Sequence, residues 1–249
     1  MYRLLFTLAA LAAFLAPTTA QITSGTIDYR EHFEFDFGDW MDAERKKEMM
    51  KQMSEGAWDR TGRLSFDGDV YSYQQLPPDA SKQNAANGWM MRNSENPEVY
   101  YTNMADSVQT DRRRVMDRMF VVEGDWEVPQ WNIANMKVGM KELPLPNQLA
   151  TAITATGDTL TAYFTESIPM SIGPKGYGGL PGAIVYLKVQ NEGRFTEYTM
   201  VTMQPGAAVE MKKPDQEKVI DREEYEKQVA RGKEMMERRR RNWDRQRGN

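Results

Sequence analysis

From residue 27 to residue 37 apolar and polar side chains alternate. Ile27, Tyr29, Phe33, Phe35 and Phe37 hold one set of positions, and Asp28, Arg30, His32, Glu34 and Asp36 hold the other. Glu31 is the single polar residue in the apolar set. A period of two predicts a strand with one face on a core. The period then changes. Residues 42–54 read as a helix, with Asp42 and Lys46 one turn apart, Met49, Met50 and Met53 on one side, and Gly56 closing it.

Short strands follow. Residues 63–66 and 69–74 flank Asp67-Gly68, a dipeptide suited to a type I′ turn. Residues 77–97 are polar and rich in Pro and Asn, which predicts a loop with Trp89 and Met90 dipping inward. Residues 99–103 and 114–122 read as extended, the second with a helical turn as an alternative start. Residues 124–146 carry Trp126, Trp131 and three prolines, which favours short edge strands and turns. A hairpin is predicted from 149–156 and 159–165 across Gly157-Asp158. Residues 183–189 are apolar on both faces except Lys188, as in a central strand, and Asn191-Glu192-Gly193 turns them into 195–203. About ten short strands separated by turn signals predict an α+β fold. It is mainly an antiparallel curved β-sheet or partial barrel, with the 42–54 helix covering one side. Phe33, Phe35, Phe37, Tyr163, Ile184 and Tyr186 are expected to line its concavity.

A charged helix ends the chain. Asp221 with Glu224 three residues on has the form of a capping box, opening a helix to about Arg245. Its apolar stripe is narrow: Tyr225, Val229, Met236 and Trp243, with Gly232 on the same side. Residues 212–249 sum to a charge of +4 and the remainder to −8, within a net −4 for the 249 residues. The mild net charge points away from nucleic acid. Arg238, Arg239, Arg240, Arg241, Arg245 and Arg247 suit peripheral contact with an anionic surface, or a solvated helix end whose cations complement the dipole.

At the other end, Arg3 precedes an apolar run over residues 4–15, then Pro17 and the small residues Thr18, Thr19 and Ala20. That is the layout of a signal peptide cleaved after Ala20. A run of twelve residues, eleven of them apolar, is too short for a membrane span, which needs about 20. The expected organisation is a signal peptide over 1–20, a β-rich domain over 21–211 and a charged helical tail over 212–249. Zero cysteines exclude disulfides, thiolate metal sites and an N-terminal lipidated cysteine.

Between the strong strands lies Ile168-Pro169-Met170-Ser171-Ile172-Gly173-Pro174-Lys175-Gly176-Tyr177-Gly178-Gly179-Leu180-Pro181-Gly182-Ala183-Ile184. Glycine admits positive φ and close approach, while proline fixes φ and removes a donor, so the alternation encodes one loop path. The run resembles the signature of the GLPGLI family of exported bacterial proteins, with Gly179-Leu180-Pro181-Gly182-Ala183-Ile184 as the namesake hexapeptide and Ala183 replacing leucine. Phe164-Thr165-Glu166-Ser167-Ile168-Pro169, Gly173-Pro174 and Gly25-Thr26-Ile27-Asp28-Tyr29 match further stretches of that pattern. Met140-Lys141-Glu142-Leu143 stands where many members carry a cysteine, so a role resting on that thiol does not transfer. The resemblance implies a periplasmic or outer-membrane-associated protein, working beside outer-membrane transport. It supplies no reaction and no catalytic residue. The loop reads as structural, or as a partner-binding loop displaying Lys175 and Tyr177. A phosphate cradle does not fit, because the following segment is β-rich and no Gly-Lys-Ser/Thr is present.

Candidate chemistry is sparse. His32 is the only histidine, and it sits on the polar face of the first strand. A Ser–His–acid site would need Ser167 or Ser171 brought to it, without a nucleophile elbow to present them. Glu166 with Glu31 or Asp28 are candidate carboxylate pairs. Met49 with Met53 could offer two thioethers to Cu(I), against methionine's ordinary role as a flexible core filler. No cofactor is expected. The reading is a non-catalytic periplasmic or outer-membrane-associated binding or accessory protein. Its partner would be an outer-membrane protein, a peptide or an apolar small molecule. A methionine-rich Cu(I) carrier and a hydrolase using His32 are the alternatives.

Overall fold

The computed structural model describes residues 22–35, 42–77, 96–138, 147–191, 193–206, 209–215 and 218–247. The expected signal peptide, Phe37, most of the 77–97 loop with Trp89 and Met90, and Met140-Lys141-Glu142-Leu143 lie outside these residues.

The alternating segment forms β1 (Ser24–Phe35), with Ile27 and Tyr29 fully buried and Arg30 exposed. β1 is the centre of a twelve-stranded sheet. On one side β2 (Arg60–Asp67), β3 (Val70–Gln75), β4 (Val99–Asn103), β5 (Val108–Val115) and β6 (Arg118–Asp125) follow as an antiparallel meander. On the other side β11 (Arg194–Pro205), β10 (Ala183–Asn191), β9 (Thr159–Thr165), β8 (Asn147–Ile153) and β7 (Asn132–Val138) run outward to the second edge. A two-residue β12 (Val219–Ile220) pairs in parallel with β6. The architecture is α+β: one large open, curved antiparallel sheet with two helices.

Curvature has local causes. The register shifts between Asp28 and Tyr29 against β11, and between Ile184 and Tyr186 against β9. Each extra residue bends its strand and increases twist. The second shift leaves Ala183, Ile184 and Val185 consecutively buried. There Tyr29 donates its hydroxyl to the Ile184 carbonyl oxygen at 2.6 Å, and the Ile184 N–H donates to Ile172 O at 2.9 Å. Backbone groups released from the ladder therefore find partners, as burial demands.

The core lies on the inner face. Ile27, Leu64, Phe66, Tyr71, Tyr73, Leu160, Ala162, Phe164 and Leu187 pack there with Ile168, Ile172 and Leu180 from the Gly/Pro loop. Burying each large apolar side chain contributes about 1.5–3 kcal/mol.

α1 (Ala43–Ser54) begins where Asp42 accepts a hydrogen bond from the Arg45 N–H, and it packs against β1 through the buried Met53. Met50 stays exposed. α2 (Arg222–Arg247) is capped by the Asp221 carboxylate, which accepts from the Glu224 N–H at 2.8 Å. Gly232 is buried beside Val115 and Met116, whereas residues 233–239 are exposed.

Three sequence expectations are corrected. The stretch expected to be extended over 114–122 is not one strand: it holds the end of β5, a turn at Met116-Asp117 with Met116 at φ +56°, and the first part of β6. No glycine, proline or asparagine marks that turn. The β2–β3 turn is centred on Gly68-Asp69, one residue later than expected, because Asp67 pairs with Val70. Only Gly68 has positive φ, at +55°, which departs from the two positive φ values of a type I′ turn. Finally, Tyr163 and Tyr186 meet edge to face on the outer face, where Tyr186 donates to Glu197, the residue paired with His32, so they do not line the concavity.

Candidate functional site

The Gly/Pro loop crosses the inner face and is held by bonds from β3 and from the connection between β6 and β7. Tyr71 donates to Gly176 O at 3.0 Å, Trp126 Nε1 to the same oxygen at 2.9 Å, and Trp131 Nε1 to Gly178 O at 2.8 Å. Within the loop the Ser171 hydroxyl donates to Leu180 O at 2.7 Å, and the Ala183 N–H to Ile168 O at 3.0 Å. Ile168, Gly173, Pro174, Leu180 and Gly182 are buried; Pro169, Gly179 and Pro181 are exposed. A side chain at Gly176 would stand 1.8 Å from Gln109 Nε2, and one at Gly182 would stand 2.1 Å from Thr165 O. Gly182 is required by close approach of backbone, and Gly176 by its φ of +79° with the movable Gln109 side chain beyond it.

Lys175 does not project outward. It begins a tight turn in the left-handed region, φ 52° and ψ 34°, a conformation that costs a non-glycine residue about 1–2 kcal/mol. The turn aims its ammonium at Glu98 Oε2, 3.5 Å away, and over the Tyr100 ring at 5.5 Å. Tyr177 is half-buried in the same loop.

Cross-strand register assembles the rest of this cluster. Tyr100 on β4 pairs with Asp111 on β5, and Glu31 on β1 pairs with Tyr198 on β11. Glu31 is 3% exposed and accepts from the Tyr73 hydroxyl and, at 2.6 Å, from Gln75 Nε2. Asp111 is buried and bound by Arg113. The Arg113 guanidinium lies 5.3 Å from the Tyr100 ring centre and 5.6 Å from that of Tyr225 on α2. Lys175, Glu98 and Arg113 retain 24%, 26% and 22% side-chain exposure, so the cluster opens to solvent at these three charges.

Electrostatics hold it charged. Burial works against the Lys175 ammonium, but Tyr100, Tyr198, Glu98 and Glu31 outweigh it and keep the group well above the usual lysine range. Glu98 is shifted the opposite way: burial raises it, yet Lys175, the Arg114 N–H and the Tyr100 hydroxyl leave it below the ordinary glutamate value. Asp111 is pushed up to about 6 by burial, with Arg113 opposing. Burial also raises the Tyr73, Tyr100 and Tyr198 phenols, so they stay neutral at physiological pH, Tyr73 donating to Glu31 and Tyr100 to Glu98.

The remaining candidates fall elsewhere. His32 is 16% exposed on the outer face, its Nδ1 2.7 Å from Asp59 Oδ1 and its Nε2 3.3 Å from Glu34 Oε1. Both ring nitrogens face carboxylates and neither meets Ser167 or Ser171. Asp28 is bound bidentately by Arg63 on the outer face, while Glu31 is on the inner face and Glu166 is exposed. The suggested carboxylate pairs are not brought together. Met53 is in the core and Met49 half-buried beside it on α1. Among the described residues no group of three or more His, Asp or Glu side chains is placed to hold a metal ion. No helix among them is long and apolar enough to cross a membrane.

Sequence reasoning did not pick out Glu98, Tyr100, Asp111, Arg113 or Tyr198. Only Glu31 carried a signal, as the polar interruption of an apolar face.

The fold and this cluster define an α+β protein with a self-plugged curved sheet and a charged, tyrosine-rich inner face. Residues 89–186 match the family model described as "Protein of unknown function (Porph_ging)". The match contains the whole Gly/Pro loop and Glu98, Tyr100, Asp111, Arg113 and Lys175. No curated protein matches the chain. Among solved structures, PNGF-II in two crystal forms is similar at 10% identity, with TM-scores of 0.49 and 0.48. The similarity covers 84% of this chain and 33% or 34% of the PNGF-II chain, so this chain spans about a third of the length of the solved chains it matches.

Proposed function

We propose that this chain is a non-catalytic binding or accessory protein of the periplasm or outer membrane, and that its recognition surface is the inner-face cluster around Lys175. The observation that carries the reading is the placement of Lys175. A strained left-handed residue in a loop clamped by Tyr71, Trp126 and Trp131 holds an ammonium, still 24% exposed, against Glu98 and Tyr100. Strain maintained by surrounding structure concentrates where geometry serves a task. The charges there are mutually compensated, which suits recognition more than proton transfer.

The finer family assignment belongs to this proposal as well. Gly179-Leu180-Pro181-Gly182-Ala183-Ile184 resembles the GLPGLI signature, and export rests on the Arg3, apolar and Ala20 pattern at the N-terminus. The other readings have weaker support, because His32 is held between two carboxylates and Met53 faces the core.

The test is native mass spectrometry of the protein taken from a periplasmic extract, compared with Lys175→Met. The expected result is a mature chain beginning at Gln21 that carries a bound species absent from the variant. A bare wild-type chain, or an adduct indifferent to Lys175→Met, would rule the reading out.

A further inference from the structure

Residues 96–98 form a short strap ahead of β4, outside the β4–β5 ladder, which ends at Val99 paired with Arg112. The strap contributes acceptors to five contacts. Glu98 Oε1 accepts the Arg114 N–H at 3.0 Å; Oε2 accepts the Tyr100 hydroxyl at 3.1 Å and faces Lys175 Nζ at 3.5 Å. Arg112 Nε donates to Pro97 O and Arg114 Nη2 to Asn96 O, each at 3.0 Å. The donors come from β4, β5 and the Gly/Pro loop, so three separate elements converge on one carboxylate and the carbonyls before it.

We infer that Glu98 is an internal occupant of a carboxylate-binding site, and that a carboxylate on a ligand replaces it there. This rests on the reading of the Lys175 cluster as the recognition surface. The donor set of an ammonium, a phenol and a backbone N–H is that of an oxyanion site, in which hydrogen bonds to the charged acceptor are the strong ones. Charge balance requires exchange. Lys175, Arg113 and Arg222 already act on Glu98, Glu31 and Asp111, three cations with three carboxylates, so an added anion would be a fourth negative group without a cation of its own. A carboxylate that displaces Glu98 leaves the balance unchanged. Access also favours exchange, since Glu98 is 26% exposed and the main chain just before it, at Asn96 and Pro97, is held by arginine side chains instead of a ladder.

The carboxylate can come from a free organic acid or from an acidic peptide, and two probes separate these. Acetate and the blocked tripeptide acetyl-Asn-Pro-Glu-amide are titrated into full-length mature protein by calorimetry at constant ionic strength, with chloride as control. Glu98→Ala should bind at least about tenfold more tightly than wild type, because the site is then no longer self-occupied. Adding Lys175→Met to Glu98→Ala should abolish the gain. Equal affinity for both probes identifies a small acid as the source, and clearly tighter tripeptide binding identifies a peptide. If Glu98→Ala does not fold, Glu98→Gln preserves the shape and should show the same order with a smaller gap.

The inference is overturned if a folded Glu98 variant binds no better than wild type. It is equally overturned if the gain survives Lys175→Met, or if chloride gives the acetate response. A native adduct lost on Lys175→Met but lacking a carboxyl group would sink this inference and leave the binding function standing.

Discussion

The Tyr71 hydroxyl donates to the carbonyl oxygen of Gly176 at 3.0 Å, joining β3 to a loop 105 residues further along the chain. Trp126 Nε1 reaches the same oxygen at 2.9 Å. A carbonyl has two lone pairs, and both are engaged here by side chains of the inner face.

This shared acceptor predicts non-additivity. Tyr71→Phe or Trp126→Phe alone leaves Gly176 O with one donor and should cost about 1 kcal/mol. The double variant strands a buried carbonyl and should cost more than the sum, by about 0.5–3 kcal/mol in a double-mutant cycle. Urea unfolding of the four proteins measures it. Strict additivity would show that the two bonds do not share an acceptor in solution.

Glycines should differ in their tolerance according to what lies beyond them. At Gly176, φ is +79° and an added Cβ would meet Gln109 Nε2 at 1.8 Å; at Gly68, φ is +55° with nothing within 4 Å. Gly68→Ala should cost about 1 kcal/mol from backbone conformation alone. Gly176→Ala should cost more, about 1–3 kcal/mol, because the buried Gln109 side chain must also move aside. Equal melting temperatures would contradict the packed placement of the loop.

His32 should contribute to stability on the acid side of neutrality. Burial disfavours its charged form, but hydrogen bonds and charge from Asp59 and Glu34 prevail, so its folded pKa is raised above 6.5. The folded state therefore binds the proton more tightly than the unfolded chain. The contribution is complete below the unfolded value and is lost as pH rises through the raised folded one. The gap in unfolding midpoint between wild type and His32→Gln should shrink from about pH 5.5 to about 8.5. A gap that widens over that interval would reverse the assignment.

Asp111 should titrate late. Its carboxyl carbon, followed by NMR, should show a midpoint of about 6 in place of the usual 3.8. Because the raised pKa means the folded state holds the proton longer, its contribution is fully present below about 3.8 and falls away as pH climbs through about 6. A midpoint in the ordinary aspartate range would show that Arg113 outweighs burial.

Much of the framework was legible locally. The alternation in β1, the Asp221 cap, the apolar β10 and the hairpin glycines are patterns within about a dozen residues, where period and turn chemistry act directly; Asp42, read as a helical residue paired with Lys46, is instead the N-cap of α1. The β5–β6 turn escaped because Met116 adopts φ +56° without a residue type that advertises it. The outward placement of Tyr186 escaped because the bulge at Val185 inverts the alternation beyond it, whereas that of Tyr163 follows the plain alternation of β9, which buries Leu160, Ala162 and Phe164 on the other face.

Sequence alone therefore determined the α+β class, the inner set of β1, both helices and the constrained course of the Gly/Pro loop, since each follows from short-range periodicity, capping or backbone freedom. Tertiary structure alone decided that the loop plugs the inner face, that Lys175 turns towards Glu98 instead of solvent, and that Tyr100, Asp111, Arg113 and Tyr198 gather around it. Those neighbours lie on strands far apart in the chain, and only sheet register and curvature bring their side chains within reach.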